Sequence, residues 1–345
     1  MEAVSTRRQA KDWFRDLTGF AESSHDSTRR RLRVGSGRLY SDAHDRSYAI
    51  GTLETPSLRE LRERAQAVGT PAPGPPRLSI VQGDVRTIHS AASSAGALFQ
   101  VASQFNLLEM VAPDVRPEDG VTPYQFDHTQ GPACAIAAGA ATIYRNYFVP
   151  VGDQIGQTAQ RQIDCLEDIG AALGNEGDRL WRMRNSYAEC TPEGLREIVN
   201  HLHRLDAHDR DVLRDRLRIG VHWNVEVTDA GAPVDHRVSQ AFCSALPVGY
   251  DPFQAGPDAW REFATLVLEG AYEATLWAAA LNAAEFGSGV VFLTRLGGGA
   301  FGNPDTWIDA ALRRALQCAA NTALDIRIVS HGPPDRALQR LVADF

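Results

Sequence analysis

Val290-Val291-Phe292-Leu293-Thr294-Arg295-Leu296-Gly297-Gly298-Gly299-Ala300-Phe301-Gly302-Asn303-Pro304-Asp305 is the most informative stretch of this 345-residue chain. An apolar run with the character of a buried strand passes into glycines, then into a helix whose first turn carries Pro304 and Asp305. Successive glycines let backbone N–H groups turn to one side as a nest, and the helix N-terminus adds the positive end of its dipole. That is an anion site made without cations. The plainer reading is a glycine-rich turn that only joins strand to helix.

The same glycines satisfy G-x-G-x-x-G, so a dinucleotide site has to be weighed. Such a site needs a carboxylate at the far end of the next strand to hold a ribose. The next strand, Leu324 to Val329, has its only carboxylate, Asp325, at the near end, and the residues that follow are too few for the first half of a Rossmann domain. A P-loop fails because no Gly-Lys-Ser/Thr follows the glycines.

Outward from this stretch, strand and helix signals alternate. Strands are expected at 77–82, 97–103, 180–188, 216–227, 239–246, 289–295 and 324–330. Helices are expected at 131–147, 158–173, 192–204, 257–284 and 304–320. This alternation predicts an α/β fold with a mostly parallel or mixed sheet covered on both faces, and ligands at the loops beyond the strand ends. Helical spacing also marks Arg8 to Ala21 and Leu58 to Ala67. Between the latter and the first strand, Gly69 to Pro76 (GTPAPGPP) breaks regular structure, which suggests an N-terminal extension over 1–75 and a main domain over 76–345.

Composition narrows the classes. With 43% hydrophobic and 23% charged residues the chain is globular, and its longest apolar runs are too short to cross a membrane. A net charge of −8 argues against a general nucleic-acid or anionic-membrane surface. The run Arg29, Arg30, Arg31, Arg33 is a local exception, read as a solvated face or else a phosphate contact. Five scattered cysteines without a Cys-x-x-Cys pair, and no signal-like apolar segment after Met1, Arg7, Arg8 and Lys11, lead us to expect a reducing cytoplasm. No His/Cys/Asp/Glu set has metal-ligand spacing, so no metal and no cofactor are expected, although spacing leaves a loosely held magnesium open.

Three motifs together resemble the macrodomain family of ADP-ribose-binding α/β/α proteins. Val81-Gln82-Gly83-Asp84-Val85 is similar to the family's strand ending in Gly-Asp; Ala102-Ser103-Gln104-Phe105-Asn106 is similar to the strand end carrying its ribose-binding asparagine; Leu296 to Pro304 is similar to its diphosphate loop. The resemblance implies a three-layer α/β/α domain with a mixed central sheet, here with long insertions, the largest at about 150–215. It implies that Asp84 and Val85 meet adenine and Asn106 the distal ribose. Gly297, Gly298, Gly299, Ala300 and Gly302 would wrap the diphosphate, with Phe301 beside the ribose. The chain departs from the family where Arg86 replaces the usual threonine after Gly-Asp, and where Leu107 to Gln130 replaces a short glycine-rich loop. Those departures resemble a divergent branch, the MavL-type enzymes that remove ADP-ribose from arginine.

The replacement loop is acidic: Glu109, Asp114, Glu118, Asp119 and Asp127 lie among Pro113, Pro117, Gly120 and Pro123, with only Arg116 as a basic neighbour. Long irregular loops in compact domains are usually functional. Breaking a ribose–guanidinium bond passes through a cationic transition state, which carboxylates stabilise, and a carboxylate can orient the attacking water. Asp119 and Asp127 are therefore the first catalytic candidates, then Glu109 and Glu118. A solvated acidic surface loop is the plainer alternative. Thr129 to Pro132 opens a small-residue helix, where Gly131 would let ligand approach. Cys134 beside His128 suggests a thiol nucleophile only weakly, and His222-Trp223 and Glu269 to Glu273 read as core and helix-face residues.

The expected activity is hydrolysis of the N-glycosyl bond joining ADP-ribose to protein side chains, arginine foremost, so the expected partners are ADP-ribose and ADP-ribosylated protein. A non-catalytic ADP-ribose reader is the first alternative and an NAD-dependent oxidoreductase the second.

Overall fold

Seven strands form the central sheet of the computed structural model, which describes residues 12–69 and 74–345. They are β1 (Thr52–Glu54), β2 (Arg77–Gln82), β3 (Leu98–Ala102), β4 (Gly220–Glu226), β5 (Arg237–Cys243), β6 (Val290–Leu293) and β7 (Asp325–Ser330), in the spatial order β1-β4-β5-β3-β6-β7-β2. The run β5-β3-β6-β7-β2 is parallel, whereas β4 is antiparallel to both its neighbours. The sheet is thus mixed, and the C-terminal ends of five parallel strands open on one edge.

β3 shows why helices cover both faces. Its first four residues are buried, and alternate side chains point to opposite sides. Phe99 stacks on His89 of the helix Val85–Ser90, while Gln100 donates to the Thr275 hydroxyl on the long helix Pro257–Phe286. The helices Leu58–Val68 and Asp305–Cys318 pack on that long helix. On the other face lie Gln130–Ala137 and Gly139–Tyr147. The three-layer α/β/α arrangement expected from the sequence is the one observed.

The helix expected over 131–147 is in fact two. Ala138 leaves helical geometry, and Thr228 repairs the break: its hydroxyl accepts from the Gly139 N–H and its own N–H donates to the Ala137 carbonyl. The helix expected at 158–173 begins only at Glu167, because Thr158 and Arg161 exchange backbone hydrogen bonds in a tight turn. The expected strand at 180–188 is a hairpin, Trp181–Arg184 and Tyr187–Cys190.

Residues before the proline-rich segment join the rest on two sides. β1 pairs with β4 in the central sheet. Trp13, Phe14, Leu17 and Phe20 share an apolar cluster with Val121, Tyr124, Ile136 and Tyr147, and Glu22 accepts from the N–H groups of Val121 and Thr122 and from the Tyr147 hydroxyl. This region also holds an antiparallel meander, Leu32–Gly35, Arg38–Ser41 and His44–Ala49. The helix expected from Arg8 is seen as Trp13–Thr18; its expected start, and residues 70–73 of the proline segment, lie outside the described residues. No described helix is long and apolar enough to cross a membrane. All five cysteines are free thiols.

Candidate active site

A cavity of about 460 Å³ opens at the C-terminal edge of the sheet. Its walls come from the ends of β3 and β6, the loop 103–111, the segment 126–132, and the aromatic side chains Tyr187, Tyr250 and Phe301. A crevice at the carboxyl ends of parallel strands is where an open α/β sheet binds ligands.

One wall is the glycine-rich loop after β6. Gly297 takes φ +76° and Gly302 φ +66°, conformations that glycine adopts without strain. At Gly297 a Cβ would also strike Ala245. The turn is closed from within by Asn303 N–H to the Gly297 carbonyl (2.9 Å) and Gly302 N–H to the Gly299 carbonyl (3.0 Å). It is braced from behind by Tyr272, whose hydroxyl donates to the Thr294 carbonyl and accepts from the Leu296 N–H, both at 2.8 Å. The N–H groups of Gly299, Ala300 and Phe301 find no acceptor among the described residues. Such a row of unpaired donors suits a phosphate oxygen. The sequence suggested an anion site made without cations, and the structure differs. Arg295 lines the cavity and pairs with Asp305 (2.8 Å) and Asp309 (2.9 Å).

A second wall holds Glu109. Gln104 staples the loop by accepting from the Met110 N–H (2.7 Å) and donating to the Met110 carbonyl (3.0 Å), while Leu107 takes φ +65° to make the turn. Glu109 is only 3% exposed; one oxygen lies 3.5 Å from Arg145 Nη2 and the other is buried without a partner. Burial pushes its carboxyl up, Arg145 pulls it partly back, and it settles at about 8. Arg145 is itself fully buried, donates to the Leu107 carbonyl and the Thr142 hydroxyl, and lies over the Phe242 ring.

The segment 126–132 completes the enclosure. Gln130 accepts from the Ala102 N–H and donates to the Gln100 carbonyl, adding a rung to the end of β3 that fixes the start of its helix. Gly131 sits so close that a Cβ would overlap the Ala102 carbonyl oxygen. Asp127 lines the cavity, and one of its oxygens accepts from the Thr129 N–H (2.8 Å).

Of the residues singled out in the sequence, the cavity brings together Glu109, Asp127, Gly131, Gly297, Gly299, Ala300 and Phe301. Gly298 and Gly302 belong to the same loop without lining the cavity; a Cβ on Gly298 would meet Ile308. Asp119 is elsewhere: it accepts from the Arg116 N–H (2.8 Å) and pairs with the Arg116 guanidinium, which holds its carboxyl below the usual range. Glu118 is taken by the Ala159 N–H, on which both its oxygens converge at 3.0 Å. Asn106 is fully buried; its amide donates to Gln162 and its side-chain oxygen accepts from the Leu108 N–H, so it supports the loop from beneath. Asp84 caps the helix Val85–Ser90 by accepting from the Arg86 N–H, and Val85 is buried under it. Burial pushes the Cys134 thiol far up, which suits packing and not nucleophilic attack. His222 is likewise buried, and burial, then Arg145, holds it well below the usual histidine range. No group of three or more metal-ligating side chains occurs among the described residues.

The sequence reading missed Tyr187, Tyr250 and Arg295. Tyr187 and Phe301 have ring centroids 5.4 Å apart, and Tyr250 lies 5.2 Å from Tyr187 and 5.8 Å from Phe301. The three rings form one aromatic corner from segments more than 50 residues apart, and no local spacing announces that.

No family model matches the chain, and no curated protein does. Among solved structures, it is similar to poly(ADP-ribose) glycohydrolase from Thermomonospora curvata, with 14% identity and a TM-score of 0.43, over 91% of this chain and 93% of that one. It is also similar to poly(ADP-ribose) glycohydrolase from Deinococcus radiodurans in complex with ADP-ribose, with 12% identity and a TM-score of 0.45, over 94% of this chain and 100% of that one.

Proposed function

We propose that the chain is an ADP-ribosylhydrolase that releases ADP-ribose from modified protein side chains. The observation that carries this reading is that one cavity is lined both by a buried carboxyl with an unpartnered oxygen, Glu109, and by a loop of unpaired backbone N–H groups, Gly299 to Phe301. The donors suit a diphosphate, and the aromatic corner offers apolar faces to the sugar or base. Burial raises the Glu109 carboxyl to about 8, which favours its protonated form at neutral pH and suits it to give a proton to a departing side chain.

In the reaction the bond from the anomeric carbon to the side-chain nitrogen breaks, its electron pair stays with the nitrogen, and Glu109 supplies the proton. Water adds to the anomeric carbon and gives its proton to Asp127, whose negative charge also stabilises the cationic transition state. Arginine is the linkage favoured by the sequence resemblance: the Asp127 carboxylate suits the guanidinium charge of the substrate, and the guanidine that departs neutral becomes cationic again on taking the Glu109 proton. The acidic loop thus contributes Glu109 and Asp127 to chemistry, while Glu118 and Asp119 hold its shape. A reducing compartment is proposed with it, since all five thiols are free.

Incubation with an arginine-ADP-ribosylated peptide, and with a serine-linked one beside it, tests the reading through free ADP-ribose. The wild type should release it, and Glu109→Gln should lose about a thousandfold or more in rate while still binding ADP-ribose. Undiminished turnover in Glu109→Gln would move the chemistry elsewhere, and binding without turnover in the wild type would make the chain a reader.

A further inference from the structure

A second concavity, of about 560 Å³, lies away from the proposed active site among Asp26, Arg29, Arg30, Leu32, Arg33, Val34, Phe148 and Ile155. Three observations converge on it. Arg29, Arg30 and Arg33 have no carboxylate within 4 Å among the described residues, in a chain whose net charge is −8; their neighbour Arg31, by contrast, is paired with Asp42 at 2.8 Å. Asp26 is the one carboxylate among the lining residues. Between the guanidinium groups the wall is apolar, with Val34 37% and Ile155 43% exposed and Phe148 half-buried. Alongside runs Leu32–Gly35, the outer strand of the meander, which pairs with Arg38–Ser41 on one side and with no strand among the described residues on the other.

Each observation alone is ordinary; together they specify a partner. Arg30 donates to the Ser27 hydroxyl, Arg33 lies over Tyr40 and Arg29 over Phe148, so their charge is left without a carboxylate; that calls for an anion, and a guanidinium fork matches a carboxylate in particular. The apolar wall calls for side chains that a bare polyphosphate lacks. An open strand edge accepts an extended backbone by strand addition, with main-chain bonds supplying affinity and alternate side chains supplying specificity. The chain's own residues 1–11 are poorly suited, since Arg7, Arg8 and Lys11 outnumber Glu2 and would meet like charge.

We propose that this groove is a docking site for an extended acidic peptide segment of a partner protein, which adds to the meander beside Leu32–Gly35 and seats apolar side chains against Val34, Phe148 and Ile155. The site is separate from the cavity and stands whether or not the proposed hydrolysis is correct.

The test uses the full chain and a fluorescent peptide of about ten residues that alternates glutamate with leucine, followed by anisotropy. The peptide should bind saturably, and the double variant Arg30→Glu/Arg33→Glu should weaken it about tenfold or more with the melting temperature unchanged. The same peptide N-methylated at alternate backbone positions should fail to bind, because it cannot form the ladder. Absence of peptide binding, binding indifferent to the charge reversal, or equal binding of the N-methylated peptide would each overturn the proposal. A polyphosphate chain that binds where the peptide does not would overturn it in favour of a simple anion site.

Discussion

Glu109 joins two properties that rarely coexist in one side chain: it is nearly inaccessible, yet one buried oxygen lacks any partner among the described residues and the residue lines a cavity. Its raised pKa has two measurable consequences. As a proton donor it must be protonated, so kcat should fall as pH rises through about 8, which a pH–rate profile would show. For stability, the folded-state value lies above the ordinary carboxylate value of 4.5. The native state then holds a proton that the unfolded chain releases, and the contribution is fully present below 4.5 and lost as pH rises towards 8. Thermal melts across that range should show this loss in the wild type and its absence in Glu109→Gln.

Two glycines separate packing from ligand approach. Gly131→Ala would drive a methyl into the Ala102 carbonyl and should destabilise the fold by about 2 kcal/mol or more. Gly299 has open space around its Cα, so Gly299→Ala should leave the melting temperature unchanged and weaken ADP-ribose binding by crowding the N–H row. Melting and titration of both variants check the pair; unimpaired binding by Gly299→Ala would detach the loop from the ligand.

At the scale of elements, the glycine-rich loop works because the long helix holds it. Tyr272→Phe keeps the ring and removes the hydroxyl that bridges Thr294 and Leu296. Stability should drop by about 1 kcal/mol and ADP-ribose affinity by about a factor of five, read by melting and calorimetry. Strand 290–293, its glycines and the helix after them were legible because the apolar run, the turn residues and Pro304 agree locally. The meander was not: its strands are short and mostly half-buried, without regular apolar alternation, and only the Ser36-Gly37 turn, both residues at positive φ, marks it. The break at Ala138 was equally hidden, because Thr228, which repairs it, lies some 90 residues away.

For the whole molecule, alternating strand and helix signals were enough to give the layered α/β architecture, since each element carries its own period. The site was legible only in part. Glu109 and Asp127 stood out as carboxylates in a proline-punctuated loop, but the spacing of that loop does not tell them from Asp119 and Glu118, which are spent on Arg116 and Ala159. What separates them is which side of the loop faces the cavity, and that is set by hydrogen bonds to Gln104 six residues away, to Tyr124 and, from far along the chain, to Glu22.

Catalysis as proposed needs ADP-ribose between the glycine-rich loop and Glu109, so the most direct measurement is a calorimetric titration of ADP-ribose, with NAD in parallel, into the wild type, Gly299→Asp and Glu109→Gln. Saturable one-to-one binding of ADP-ribose by the wild type and Glu109→Gln, weaker binding of NAD, and loss of binding in Gly299→Asp are expected, because a carboxylate placed at the N–H row repels the diphosphate. No binding by the wild type, or equal affinity in Gly299→Asp, would contradict it.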